Sequence, residues 1–165
     1  MPILCDAVST LRLDNLVVVA PDAGSVKKAR MWATRLKAPT AIADKRRPDH
    51  SEVAEIVDLM GSVEGRTTLI VDDFVISGCT LADCARVLID HGATAVYAAV
   101  SHGLMAGNAR ETLDESPIRR LFMTDSVETQ PGKLPDKVEV VSVAGLFGEA
   151  IRRIAQRESI SVLFN

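Results

Sequence analysis

Leu69-Ile-Val-Asp-Asp-Phe-Val-Ile-Ser-Gly-Cys-Thr80 puts two adjacent carboxylates after an apolar run and then a Ser-Gly-x-Thr turn that opens a helical pattern. The run at 68–71 (TLIV) is short and apolar, which suits a strand buried on both faces. The turn after it can aim backbone N–H groups and the Ser77 and Thr80 hydroxyls at a phosphate, with the helix N-terminus adding partial positive charge. Asp72 and Asp73 would repel a phosphate. They suit neutral hydroxyls, met directly or through a magnesium ion with its waters. A sugar phosphate carries both kinds of group. The same residues also read as an ordinary loop with a helix cap and two surface aspartates. Two side-by-side carboxylates repel unless something binds them, which favours the ligand reading.

On either side, apolar strings alternate with helical patterns. Strands are predicted at 16–20, 40–43, 68–71, 95–101, 121–124 and 138–143. Helices are predicted at 24–36, at 51–60 with Ser51 as N-cap and Gly61 as its stop, at 79–90 closed by His91-Gly92, at 106–113 and at 144–157. The last carries Leu146, Ala150, Ile151 and Ile154 on one stripe. Residues 128–137, with Pro131, Gly132 and Pro135, read as a loop. Strand–helix repetition of this kind predicts an α/β domain, a three-layer parallel sheet flanked by helices. The length of 165 residues predicts one domain, 1–165.

Composition narrows the function. Nineteen Lys and Arg against 22 Asp and Glu leave a net charge of −3, too weak to hold nucleic acid by bulk electrostatics. With one tryptophan, Trp32, and one tyrosine, Tyr97, stacking platforms for single strands are also disfavoured. No apolar run approaches the roughly 18 residues that a membrane span needs. Cys5, Cys79 and Cys84 are odd in number and lack metal-like or redox-like spacing. With no signal peptide in view, a reducing cytoplasm is expected.

In an open α/β sheet, ligands sit beyond the carboxyl ends of the strands. That singles out Asp22, Ala23, Gly24 and Ser25, the basic Lys45-Arg46-Arg47, the 72–80 stretch, His102, and Thr124-Asp125-Ser126. Lys45-Arg46-Arg47, taken alone, reads as a solvated basic turn. His102 suits a ligand contact or a structural hydrogen bond equally. The 124–126 stretch reads first as an Asx-type turn. Cys79 stands at a helix N-terminus, a place that suits a reactive thiol, yet no general base accompanies it, so it reads as a small residue in a glycine's place.

Several stretches resemble one family. These are Asn15-Leu-Val-Val-Val-Ala-Pro-Asp-Ala-Gly-Ser-Val-Lys-Lys-Ala-Arg30, Ala43-Asp-Lys-Arg-Arg-Pro48, Val71 to Thr80, Val100-Ser-His-Gly103, and Glu149-Ala-Ile-Arg-Arg-Ile-Ala-Gln-Arg-Glu-Ser-Ile-Ser-Val-Leu-Phe164. Val71 to Thr80 resembles the phosphoribosyl-pyrophosphate motif of the type I phosphoribosyltransferase fold. Together, in collinear order, the stretches resemble the C-terminal half of the ribose-phosphate pyrophosphokinases. The resemblance implies a transferase of nucleotide biosynthesis that moves diphosphate from Mg-ATP to ribose 5-phosphate. It implies that Asp72 and Asp73 bind the ribose hydroxyls with or without Mg2+, and that Ser77, Gly78, Cys79 and Thr80 cradle the 5-phosphate. Ala23, Gly24 and Ser25 would approach the pyrophosphate, with Asp22 near a metal. Lys45 and Arg47 match the family's mobile catalytic loop, whose cations would stabilise phosphate charge during transfer.

The match departs from the family in two respects. The family's chains have two similar α/β halves, and only the second is matched, so this half is expected to be inactive alone. Where the family has Asp-Asp-x-x-Asp-Thr-x-Gly-Thr, this chain has Ile76 for the third acid and Cys79 for a glycine, and Ser25 stands for another glycine. Ile76 accepts neither a hydrogen bond nor a proton. Two functions therefore stand at this point: a synthetase domain that binds ribose 5-phosphate, phosphoribosyl pyrophosphate and ATP, or a non-catalytic binding or regulatory paralogue. The expected partners are a homo-oligomer, a separate N-terminal half or a full-length synthetase, and neither nucleic acid nor membrane.

Overall fold

The computed structural model describes residues 2–46, 55–129, 132 and 134–164. Helix α1 (Pro2–Ser9) leads into β1 (Leu16–Ala20), a one-turn 3-10 helix (Ala23–Ser25), α2 (Val26–Leu36) and β2 (Thr40–Arg46). There follow β3 (Glu55–Met60), β4 (Thr67–Val75), α3 (Cys79–Asp90), β5 (Ala95–Gly103), α4 (Ala109–Asp114), β6 (Ile118–Thr124), β7 (Val138–Val141) and α5 (Ala144–Ala155). A last 3-10 turn spans Ser161–Phe164. The seven strands lie in the order β3-β2-β1-β4-β5-β6-β7.

Every strand pair is parallel except β2 with β3. Alternation along each strand feeds two cores, as a sheet covered on both faces requires. Val17, Val19, Ile70, Val96, Ala98 and Val100 face Leu81, Cys84, Leu88 and Leu113 of α3 and α4. Val18, Ala20, Leu69, Val71, Ala99 and Phe122 face Leu4, Val8, Ala29 and Trp32 of α1 and α2. Among the described residues, no helix is long and apolar enough to cross a membrane.

The α/β architecture is as expected, with four corrections. First, the sheet is mixed rather than wholly parallel, because β3 runs antiparallel along the β2 edge. Second, β3 replaces the end of the helix predicted at 51–60, whose start at 51–54 lies outside the described residues. A short apolar run fits either period, and here pairing with β2 decides it. Gly61 is accordingly no helix stop: at φ +105° it lies so close to β2 that a Cβ would meet the Ala41 Cβ at 3.0 Å. Third, β4 does not stop at residue 71. It runs through Asp72 and Asp73 to Val75, held by pairing of Phe74 with His102 and of Val75 with Gly103 on β5. Fourth, Pro2–Ser9 is a helix the sequence reading missed, its Leu4, Cys5 and Val8 buried against the sheet. Burial pushes the Cys5 thiol up to about 11.

The remaining boundaries move only at their ends; α5 has no buried residue, and of its stripe Ile151 and Ile154 are exposed while Leu146 and Ala150 are half-buried. Among the described residues of 128–137 there is no helix and no strand ahead of Val138.

Candidate functional site

The chain enters the sheet at β1, moves outward through β2 and β3, then returns to the other side of β1 at β4. The gap between β1 and β4 is therefore the topological switch point, where connections leave the sheet in opposite directions and open a crevice. The two segments singled out in the sequence, 22–25 after β1 and 72–80 at the end of β4, meet there. Ser25 Oγ donates to Asp72 Oδ1 at 3.4 Å, across 47 residues of sequence.

On the β1 side, Asp22 caps the 3-10 turn, its Oδ1 accepting the Ser25 N–H at 2.8 Å. Ala23 and Gly24 lie exposed at the tip, beside a shallow groove of about 520 Å³ that also touches Lys27 and Arg30. On the β4 side, Asp72 Oδ1 accepts the Asp73 N–H at 2.7 Å. The sequence does not single out Lys28 as a site residue, yet its ammonium stands 2.7 Å from Asp73 Oδ1 and 3.5 Å from Asp72 Oδ1. Nothing local signals it, since α2 must first fold back over β1 to bring it there.

The turn at 77–80 opens α3 in a geometry that could receive an anion. Gly78 is the N-cap of α3 at φ +80° and ψ −11°, a left-handed conformation that glycine adopts without strain. The turn leaves the N–H groups of the first helical turn pointing outward, since α-helix N-termini lack internal partners. Ser77 Oγ accepts the Cys79 N–H at a long 3.5 Å. Asp72, Phe74, Ile76, Ser77, Gly78 and Thr80 line a cleft of about 210 Å³. Phe74 and Ile76 form its apolar lip, each 55% exposed. The structure thus brings Asp22, Ala23, Gly24, Ser25, Asp72, Asp73, Ser77, Gly78, Cys79 and Thr80 to one end of the sheet.

The basic pair is placed less fully. Lys45 lies on β2 opposite Ile56, a strand position rather than a loop, though β2 runs past the end of β1 toward the same carboxyl end of the sheet. Arg47 lies outside the described residues. Two other candidates have structural partners. His102 Nδ1 shares a 2.7 Å hydrogen bond with Ser126 Oγ, and its ring lies 5.2 Å from that of Phe74. The Thr124 hydroxyl donates to the Ser101 carbonyl at 2.6 Å. Asp125 accepts the Val143 N–H at 2.7 Å, at the start of α5. Hydrogen bonds from Ser142 and Val143 hold its carboxyl below the usual range.

A magnesium ion fits this end of the sheet only as a shared guest. Among the described residues no group of three or more His, Cys, Asp or Glu side chains could enclose one. Magnesium is commonly held by one or two carboxylates, with waters and substrate phosphates completing its shell. Asp72 and the more exposed Asp73 suit that role.

The family model of the phosphoribosyl synthetase-associated domain matches residues 48–165. The ribose-phosphate pyrophosphokinase of Corynebacterium ammoniagenes is 44% identical over 165 residues, covering 100% of this chain and 52% of that protein. That of Caldanaerobacter subterraneus subsp. tengcongensis is 47% identical over 151 residues, covering 92% of this chain and 48% of that protein. The chain spans about half the length of the curated relatives it matches. The solved phosphoribosylpyrophosphate synthetase from Mycobacterium smegmatis superposes with a TM-score of 0.83 at 27% identity, over 94% of this chain and 50% of that one. A purine phosphoribosyltransferase from Pyrococcus horikoshii Ot3 shares the fold alone, at TM-score 0.52 and 16% identity over 83% of this chain and 76% of that one.

Proposed function

The chain belongs to the phosphoribosyl synthetase-associated domain family, and on that premise we propose that it is the sugar-phosphate half of a ribose-phosphate diphosphokinase of nucleotide biosynthesis. The observation that carries the reading is the meeting of an anion cradle and a carboxylate pair at the switch point of the sheet. The 5-phosphate of ribose 5-phosphate sits on Ser77, Gly78, Cys79 and Thr80, and the ribose hydroxyls donate to Asp72 and Asp73. Ala23, Gly24 and Ser25 approach the pyrophosphate group, with Asp22 near a metal.

In the full reaction the ribose 1-hydroxyl oxygen attacks the β-phosphorus of ATP. The new O–P bond replaces the bond to the α-phosphate bridge, AMP departs, and the hydroxyl proton passes to solvent. Phosphoryl-type transfer of this kind is accelerated mainly by positioning and by fixed charge. Lys45 and Arg47 supply that charge. Magnesium, when bound with the substrates, screens phosphate charge at the Asp72–Asp73 end. ATP binding and turnover are assigned to the assembled protein in the cytoplasm, not to this half alone.

Assembly is part of the proposal. On α5, Phe147, Ile151 and Ile154 are 59%, 66% and 63% exposed on one stripe. A patch of that kind on an amphipathic helix supports burial against another subunit or against a complementary half. One observation favours a second reading, a regulatory paralogue without turnover. Ile76 puts an apolar side chain on the cleft lip, where the family pattern has an acid.

A thermal-shift titration with ribose 5-phosphate and with phosphoribosyl pyrophosphate, each with and without Mg2+, tests both. A ligand at about 100 times its Kd stabilises the native state by roughly 2.7 kcal/mol. For a domain of this size that is a rise of roughly 5–10 °C in Tm. A rise supports the sugar-phosphate site. No shift with either ligand removes it.

A further inference from the structure

Adjacent residues of a β-strand send their side chains to opposite faces. Asp72 and Asp73 depart from that rule in effect, because one ammonium reaches both of them: Lys28 Nζ lies 3.5 Å from Asp72 Oδ1 and 2.7 Å from Asp73 Oδ1. Lys28 is the third residue of α2, and its side chain is only 21% exposed, as is that of Asp72. Asp72 Oδ1 is further held by the Asp73 N–H and the Ser25 hydroxyl. The carboxylate pair is thus assembled around an internal cation before any ligand arrives.

We propose that Lys28 is a positioning residue of this site, a built-in counter-ion that converges Asp72 and Asp73 and competes with divalent cations for them. The proposal rests on the reading of Asp72 and Asp73 as the sugar-holding pair. A lysine suits the role because its ammonium is a compact charge on a flexible stem, able to withdraw where a planar guanidinium would stay clamped. A divalent ion arriving alone must displace or sit beside that ammonium, and like charges a few ångströms apart repel strongly in a partly buried site. A cation that arrives with substrate phosphate brings the negative charge that offsets the repulsion. Lys28 therefore weakens the binding of metal that arrives alone.

The test titrates Mn2+ alone, by calorimetry, into the full chain and its Lys28→Met, Lys28→Gln and Lys28→Arg variants. Removing the charge is expected to tighten Mn2+ binding by about tenfold or more in both neutral variants, from the Coulomb repulsion it relieves. Lys28→Arg, which keeps the charge, is expected to bind Mn2+ as weakly as the parent. Adding Asp72→Asn and Asp73→Asn to Lys28→Met is expected to abolish the gain. A purely structural ion pair would instead lower Tm with no change in Mn2+ affinity. That result in a folded Lys28→Met or Lys28→Gln protein overturns the proposal, as does a gain that survives loss of both carboxylates. The Mn2+ arm contains no sugar. Failure of ribose 5-phosphate to bind the parent chain would remove the substrate reading while leaving the competition at Lys28 measurable.

Discussion

Replacing Gly78 by alanine strikes the cradle through its backbone. At φ +80° and ψ −11° an L-residue sits in the left-handed region, at a cost of about 1–2 kcal/mol. The new Cβ would stand 3.0 Å from Leu113 Cγ and 3.3 Å from its Cδ2. Leu113 is fully buried beneath α3 and has little room to yield. Overpacking of such a core adds about 1–3 kcal/mol, and the stiffer unfolded chain returns roughly 0.4–1 kcal/mol. The net expectation is a loss of about 1–5 kcal/mol, or roughly 2–20 °C in Tm for a chain of this size. Urea denaturation reads it as a lower midpoint at unchanged slope. Gly107→Ala is the control, since φ is +59° there but no heavy atom lies within 4 Å of the added Cβ. It carries the backbone cost alone. Ribose 5-phosphate affinity should fall with Gly78→Ala, as the N–H groups of Cys79 and Thr80 turn away, and hold with Gly107→Ala. A Gly78→Ala protein within about 0.5 kcal/mol of the parent would refute the reasoning, because neither the strained backbone nor the Leu113 contact would then exist.

The C-terminal helix should loosen in acid. Hydrogen bonds from Arg152, and next from Arg153, lower the Glu149 carboxyl from 4.5 to about 2, so its contribution is complete above the unfolded value and is lost as pH falls from about 4.5 toward 2. Asp125, also lowered, acts in the same direction at the start of the helix. Hydrogen exchange across 144–155 between pH 5 and 2 checks this, and protection that does not fall over that window contradicts it. Changing Ile151 and Ile154 to aspartate should leave stability within about 0.5 kcal/mol per site, as both are exposed, while abolishing association seen by light scattering. A drop in Tm with unchanged assembly would show that the stripe packs within the chain instead.

What the sequence disclosed follows the range of the forces involved. The run Leu16–Ala20 is continuous, branched and bounded by turn residues, and the strand has those limits. Helix α3 is legible at both ends, from the Ser77-Gly78 turn to His91-Gly92. Long-range pairing governs the misread parts. Residues 55–60 carry a pattern that a helix would also accept, and only the free edge of β2 makes them a strand. The extension of β4 through Asp72 and Asp73 depends on His102 and Gly103 of β5.

The site divides in the same way. Asp72, Asp73 and the turn at 77–80 are contiguous, so this part of the candidate site can be picked out from the sequence. Lys28 lies 44 residues from Asp72 in sequence, and only the crossover from β1 through α2 brings it there. The amphipathic stripe of α5 was visible in the sequence, but its period says nothing about what it faces.

The central claim is that Asp72 and Asp73 hold the sugar of a sugar phosphate whose phosphate rests on the 77–80 turn. Calorimetric titration of ribose 5-phosphate, with Mg2+ present, into the parent chain and into the Asp72→Asn, Asp73→Asn double variant tests it most directly. Both substitutions keep the side-chain size and lie at the half-exposed end of β4, so the fold and its circular dichroism should persist. The account predicts measurable binding by the parent and none by the folded double variant. Equal affinity in the two proteins would contradict it.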